Sequence, residues 1–179
     1  MKTTTVVAGA ALVMLAACST SPMQSNAGGA SGPKAVANLA PTKGNQASGT
    51  VTFTQRGNKV VVAGDITGLA PGAHGFHIHD KGDCSADDAT SAGGHYNPMG
   101  KPHAGPGTTE RHAGDMPMIN ADASGKATLN SELDVVTIGG GAADIVGRAV
   151  IVHKDADDYK TQPTGNSGAR VACGVIRSS

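Results

Sequence analysis

From residue 35 onward the hydrophobic positions fall into short runs that alternate with polar residues or are rich in β-branched ones: 35–39, 49–55, 59–67, 75–80, 126–133, 148–153 and 170–176. A period of two places successive side chains on opposite faces of a strand, so these runs predict strands packed against a common core. Between them stand residues with turn chemistry, Arg56-Gly57-Asn58, Leu69-Ala70-Pro71-Gly72 and Asp122-Ala123-Ser124-Gly125. No segment carries a sustained helical period. The pattern predicts an all-β domain, and many short strands favour a sandwich or barrel. Two long stretches, 81–115 and 155–169, interrupt the strand rhythm. Loops of that length in a compact domain are usually functional or disordered.

The chain before residue 34 reads differently. A charged start, Met1-Lys2, precedes an apolar run from Val6 to Ala17, the layout of a secretory signal over residues 1–17. At about a dozen residues the run is too short to span roughly 30 Å of hydrocarbon. It ends in Leu15-Ala16-Ala17-Cys18, which resembles the lipobox of bacterial lipoproteins, where the cysteine receives diacylglycerol before cleavage in front of it. The alternative is an ordinary signal peptide followed by a chance cysteine. Residues 18–33, rich in Ser, Gly, Ala and Pro, predict a flexible tether, and residues 34–179 suffice for one domain. The expected location is the periplasmic face of the cell envelope, held there by lipid on Cys18. Ser19 favours the outer membrane, because inner-membrane retention typically uses Asp at that position.

Composition sharpens this picture in three ways. The three cysteines are an odd number; a lipidated Cys18 leaves Cys84 and Cys173 as an available pair, and an exported protein meets an oxidising compartment. A disulfide closing that loop of roughly 90 residues would stabilise by about 4 to 5 kcal/mol in the chain-entropy model. Fourteen basic residues balance fourteen acidic ones, with no basic block, which argues against a nucleic-acid partner. With no Trp, two Phe and two Tyr, the core must be built from Val, Ile, Leu and Ala, and such a domain gains from cross-links.

The chemistry concentrates in the histidines. All seven lie between His74 and His153. His77 and His79 flank Ile78, and the strand period turns both imidazoles to one face. His153 ends the apolar run Ala149-Val150-Ile151-Val152 and could add a third ligand; a nitrogen-only set suits tetragonal Cu(II). In the long loop, His95, His103, His112 and Asp115 match a closed tetrahedral zinc site of structural type. The bland alternative for these four is a set of solvated loop residues.

Four blocks make the sequence recognisable: Gly75-Phe76-His77-Ile78-His79, Ser91-Ala92-Gly93-Gly94-His95-Tyr96-Asn97-Pro98, Glu110-Arg111-His112-Ala113-Gly114-Asp115, and Gly165-Asn166-Ser167-Gly168-Ala169-Arg170-Val171-Ala172-Cys173-Gly174-Val175-Ile176. In order and spacing they resemble the signature blocks of bacterial copper/zinc superoxide dismutases, over nearly all of residues 34–176. The resemblance implies a Greek-key sandwich or flattened barrel of about eight antiparallel strands with two long functional loops. It implies copper held by His77, His79, His95 and His153, and zinc held by His95, His103, His112 and Asp115, with His95 deprotonated and shared. It also implies a Cys84–Cys173 disulfide, an anion-guiding role for Arg170, and a role for Asp157 in hydrogen-bonding one ligand of each metal. His74 has no ligand role in the family and is expected to pack or bond to backbone. The implied reaction is disproportionation of superoxide to dioxygen and hydrogen peroxide, with His95 and Arg170 in catalytic roles, in a homodimer whose geometry varies among branches. The alternative is a non-catalytic copper-binding module of the same fold. Two departures from the family, Lys154 and residues 160–163, are expected to touch no ligand position.

Overall fold

A computed structural model of the chain describes residues 1–4 and 32–179; most of the signal segment, Cys18 and nearly all of the tether lie outside the described residues. The described chain forms β1 (Lys34–Pro41), β2 (Ser48–Arg56), β3 (Lys59–Thr67), β4 (Gly72–His74), β5 (Phe76–His79), β6 (Ile119–Ala121), β7 (Ala127–Leu133), β8 (Ala149–His153) and β9 (Arg170–Ser178), with one 3-10 turn at Thr90–Ala92. The seven runs seen in the sequence all become strands. β4 and β6 lie outside those runs, because three residues are too few to display a period and Gly72 carries turn chemistry. Among the described residues no helix is long and apolar enough to cross a membrane.

Seven strands form one antiparallel sheet in the order β5-β8-β9-β1-β2-β3-β7, and β4 pairs with β6. β1, β2 and β3 are successive neighbours, whereas β5 lies at the far edge beside β8 and β7 returns beside β3. These crossovers between antiparallel strands are Greek-key connections. β2 shows how the sequence selects the inner face: Val51 and Phe53 are buried, and Thr50, Thr52 and Thr54 point away from the core.

β5 and β8 depart from that alternation, since every residue in both is buried. Phe76, Ile78, Val150 and Val152 face the main core, while Ala149 and Ile151 pack with Cys173, Ala89 and Ala92 in a second, smaller cluster. The outer face is covered because loop 81–115 folds back over this edge. The Ile78 amide donates to Gly114 O at 2.9 Å, the Gly114 amide to Tyr96 O at 2.9 Å, and the Tyr96 amide to Ile78 O at 2.8 Å. Gly114 permits this approach, because a Cβ there would run into the Ile78 carbonyl. A disulfide between Cys84 and Cys173, 89 residues apart, pins the same loop to β9.

Candidate metal centre

The covered outer face of β5 and β8 is where the histidines meet. His77 and His79 project from β5 on the side opposite Phe76 and Ile78, and His153 projects from the end of β8. The covering loop brings His95 beside them, through bridge pairing of His95 with His79 and of Asp115 with His77. Two groups result, His77, His79, His95 and His153, and His95, His103, His112 and Asp115, each with its donor atoms within 4.8 Å of one another and every member buried. His95 belongs to both.

Hydrogen bonds fix which nitrogen of each ring is free. His79 Nδ1 lies 2.9 Å from Gly93 O, and His153 Nδ1 lies 3.2 Å from Gly168 O. Each Nδ1 must therefore donate, which leaves both Nε2 atoms as bare lone pairs facing each other at 3.4 Å. His77 Nε2 donates to Asp157 Oδ2 at 2.6 Å, so its Nδ1 is bare. His77 Nδ1 and His95 Nε2 are buried without any hydrogen-bond partner. Converging, uncompensated lone pairs are costly in a dry interior. A bound cation satisfies all four at once, so this set fits a metal with a preference for imidazole.

The second group is anionic at its centre. Asp115 Oδ1 faces the Nδ1 atoms of His95 and His103 at 2.9 Å each and that of His112 at 3.2 Å. Its Oδ2 accepts the backbone amides of Ala104 at 3.1 Å and His112 at 3.0 Å. Burial alone would raise the Asp115 carboxyl, but hydrogen bonds from the three imidazoles outweigh it and hold the carboxyl far below the usual range. Three nitrogens and a carboxylate with no open position match the zinc preference for closed tetrahedral sites.

The two groups differ in how they hold protons. Burial, with the charge of neighbouring imidazoles, pushes His153 down to about 3. It pushes His95 down to about 4 against the opposing pull of Asp115, and it lowers His79 well below the ordinary histidine value. These rings are neutral near pH 7, the form that binds metal. His103 behaves oppositely: burial lowers it, but hydrogen bonds to Asp115 and Asp157 prevail and raise it to about 9. His103 would give up its Nδ1 proton if it held a cation.

Asp157 links the two groups. Its Oδ2 accepts from His77 Nε2 and its Oδ1 from His103 Nε2, the latter at 3.0 Å, so one buried carboxylate orients a ring of each set. Arg170 reaches the same region through an irregularity in β9. The register with β8 slips between Val152 and His153, so that His153 pairs with Arg170 while Val171 stays in the main core. A β-bulge of this kind re-aims a side chain. Without it, Arg170 would point into the core. The guanidinium donates to Ala89 O at 2.6 Å and to Gly93 O at 2.7 Å. Arg170 also lines an open depression of about 380 Å³ together with Lys43, Asp88 and Gly168.

His74 lies outside both groups. Its Nδ1 is 2.8 Å from His153 O and its Nε2 is 2.8 Å from Ala70 O, so it anchors backbone on both sides. One expectation fails. Residues 160–163 do touch a ligand position, because the Gln162 side chain bonds both the amide and the carbonyl of His103. Sequence spacing carries no signal for this contact. The segment departs from the family pattern, and a lone Gln is silent about its partner.

A curled antiparallel sandwich buries two imidazole-rich groups around one shared ring, a donor set compatible with two neighbouring metal sites. The profile described as "Copper/zinc superoxide dismutase (SODC)" matches residues 47–176, and the chain belongs to that family. Among solved structures, one titled "Crystal Structure Analysis of the clock protein EA4" is similar at 42% identity with a TM-score of 0.74, the match covering 80% of this chain and 93% of that one.

Proposed function

We propose that this chain is a superoxide dismutase that converts superoxide and protons to dioxygen and hydrogen peroxide. In this reading His77, His79, His95 and His153 hold copper, and His95, His103, His112 and Asp115 hold zinc. The observation that carries it is the single buried ring of His95, which presents Nδ1 to Asp115 and a partnerless Nε2 to the imidazole group. Copper supplies the one-electron redox change.

The chain's own residues do the remaining work. His95 Nε2 is the buried atom at which a proton can be held and released between encounters with substrate. Asp157, Gly93 O and Gly168 O hold the other rings in one tautomer and orientation. Arg170 offers a cation that does not titrate at working pH, fixed by two carbonyls rather than left swinging. The depression it lines with Lys43 includes Gly168, whose carbonyl anchors His153. Lys43 is itself paired with Asp87 Oδ2 at 2.7 Å, so in this reading Arg170 is the cation that draws an anion toward the imidazole group.

The competing reading is a copper-binding module of the same fold without turnover, which has no use for a cation fixed at that place. Superoxide consumption by the purified protein loaded with both metals, compared with the copper-free protein, separates the two. Both metals bound without superoxide consumption would leave only the module.

We also propose export, with removal of residues 1–17 and lipid anchoring through Cys18 at the periplasmic face, the outer membrane being favoured. In support, Cys84 and Cys173 are bonded to each other, which leaves Cys18 as the cysteine outside the disulfide. Cys18→Ser is expected to block both acyl labelling and cleavage at the normal position. Acyl label entering the variant, or mature protein released normally from it, would refute the anchor. The homodimer implied by the family stands with these proposals, and sedimentation of the metal-loaded protein tests it.

A further inference from the structure

His103 sits in irregular chain between Pro102 and Ala104, where no strand neighbour fixes its backbone. A side chain does so instead. The His103 amide donates to Gln162 Oε1 at 2.8 Å, and Gln162 Nε2 donates to His103 O at 2.7 Å, across 59 residues of chain. The planar amide offers one acceptor and one donor, as a neighbouring strand would. Its base is preformed. Asp158 Oδ1 accepts the amides of Lys160 at 2.9 Å and Thr161 at 2.8 Å, and the Gly165 amide closes onto Thr161 O at 2.7 Å. The same loop supplies Asp157, which holds His103 Nε2. The main chain of His103 is thus gripped by Gln162 and its ring by Asp157, with Nδ1 left facing Asp115.

From this geometry we infer that Gln162 is a positioning residue for the zinc group: it fixes the backbone from which His103 Nδ1 is aimed. This rests on the metal assignment proposed above. A ligand on otherwise unsupported loop must be ordered when metal binds, and that ordering subtracts from affinity. A clamp already in place removes the cost. Linkage makes the effect reciprocal, so metal at His103 also orders loop 155–169, which leads directly into Arg170.

The test uses copper-free protein with its disulfide intact. Zinc affinity is measured by competition with a chromophoric chelator, and cobalt(II) serves as a visible-absorbing substitute in the same group. Gln162→Met keeps the length of the side chain and loses both hydrogen bonds; Gln162→Asn is a milder change, too short to span both atoms. Both are expected to weaken zinc binding, the Met variant by about tenfold or more, the scale on which partners of ligands act. The cobalt absorption should change in shape with the Met variant, as ligand geometry loosens. Thr161→Ala removes the 2.6 Å hydrogen bond to Asp158 Oδ2 within the same turn without touching His103, and it should bind zinc almost as wild type does. Wild-type affinity and spectrum in both Gln162 variants would overturn the inference, as would a Thr161→Ala loss equal to that of Gln162→Met. Failure of the wild-type protein to take up zinc would overturn the metal assignment itself.

Discussion

Replacing His153 with Ala is expected to abolish superoxide consumption while zinc remains bound. The asymmetry follows from the grouping of donors. His153 Nε2 faces only the imidazole group, and none of the four members of the Asp115 group depends on its ring. The backbone at this position is held independently, by the His153 amide on Gly75 O at 2.8 Å and by His74 on the His153 carbonyl. The substitution therefore removes a ligand and leaves the strand in place. Losing a hydrogen-bond partner of a ligand already costs about 10–100-fold in metal affinity or activity, and losing the ligand itself should exceed that. Metal analysis and superoxide consumption on the same preparation check both halves. Near wild-type activity in the variant would refute the copper assignment, and loss of zinc would show that the two groups are not separable in this way.

The sequence exposes what depends on period and residue type. β1, β2, β3 and β7 could be placed because one face is buried and the other polar, and His77-Ile78-His79 could be set on one face by the same alternation. The residues of both metal groups could be nominated from their types and family blocks. What was not legible depends on main-chain position. The slip between Val152 and His153 decides that Arg170 turns toward His153 and Val171 toward the core, yet a one-residue bulge leaves no trace in the order of residues. The role of Gln162 depends on two loops meeting, and the carbonyls of Gly93 and Gly168 that set ring tautomers belong to no side chain. β5 looks half-polar in sequence and β8 reads as an apolar run, yet both are wholly buried, His77, His79 and His153 included, because the covering loop comes from elsewhere in the chain.

Replacing Arg170 with Ile is expected to lower the dismutation rate about tenfold or more, the low end of what electrostatic steering supplies for a charged substrate. The dependence of the rate on salt should flatten at the same time, because screening weakens only a field that exists. The structure adds a condition. Gly93 O accepts from both Arg170 Nη2 and His79 Nδ1, so the Ile variant also removes one of two donors from the carbonyl that orients a proposed copper ligand. His79 keeps its own bond to that carbonyl, and both metals should stay bound. Arg170→Lys separates the two effects: it keeps the charge but cannot span Ala89 O and Gly93 O with a rigid fork. If steering dominates, the Lys variant keeps the wild-type salt slope and most of the rate, and only the Ile variant loses both. If orientation of the site through Gly93 dominates, Lys and Ile fall together and their salt slopes stay parallel to wild type. Stopped-flow or pulse-radiolysis rates for the three proteins at low and high ionic strength decide between these, and equal rates with parallel slopes in all three would refute any role for Arg170 in the reaction.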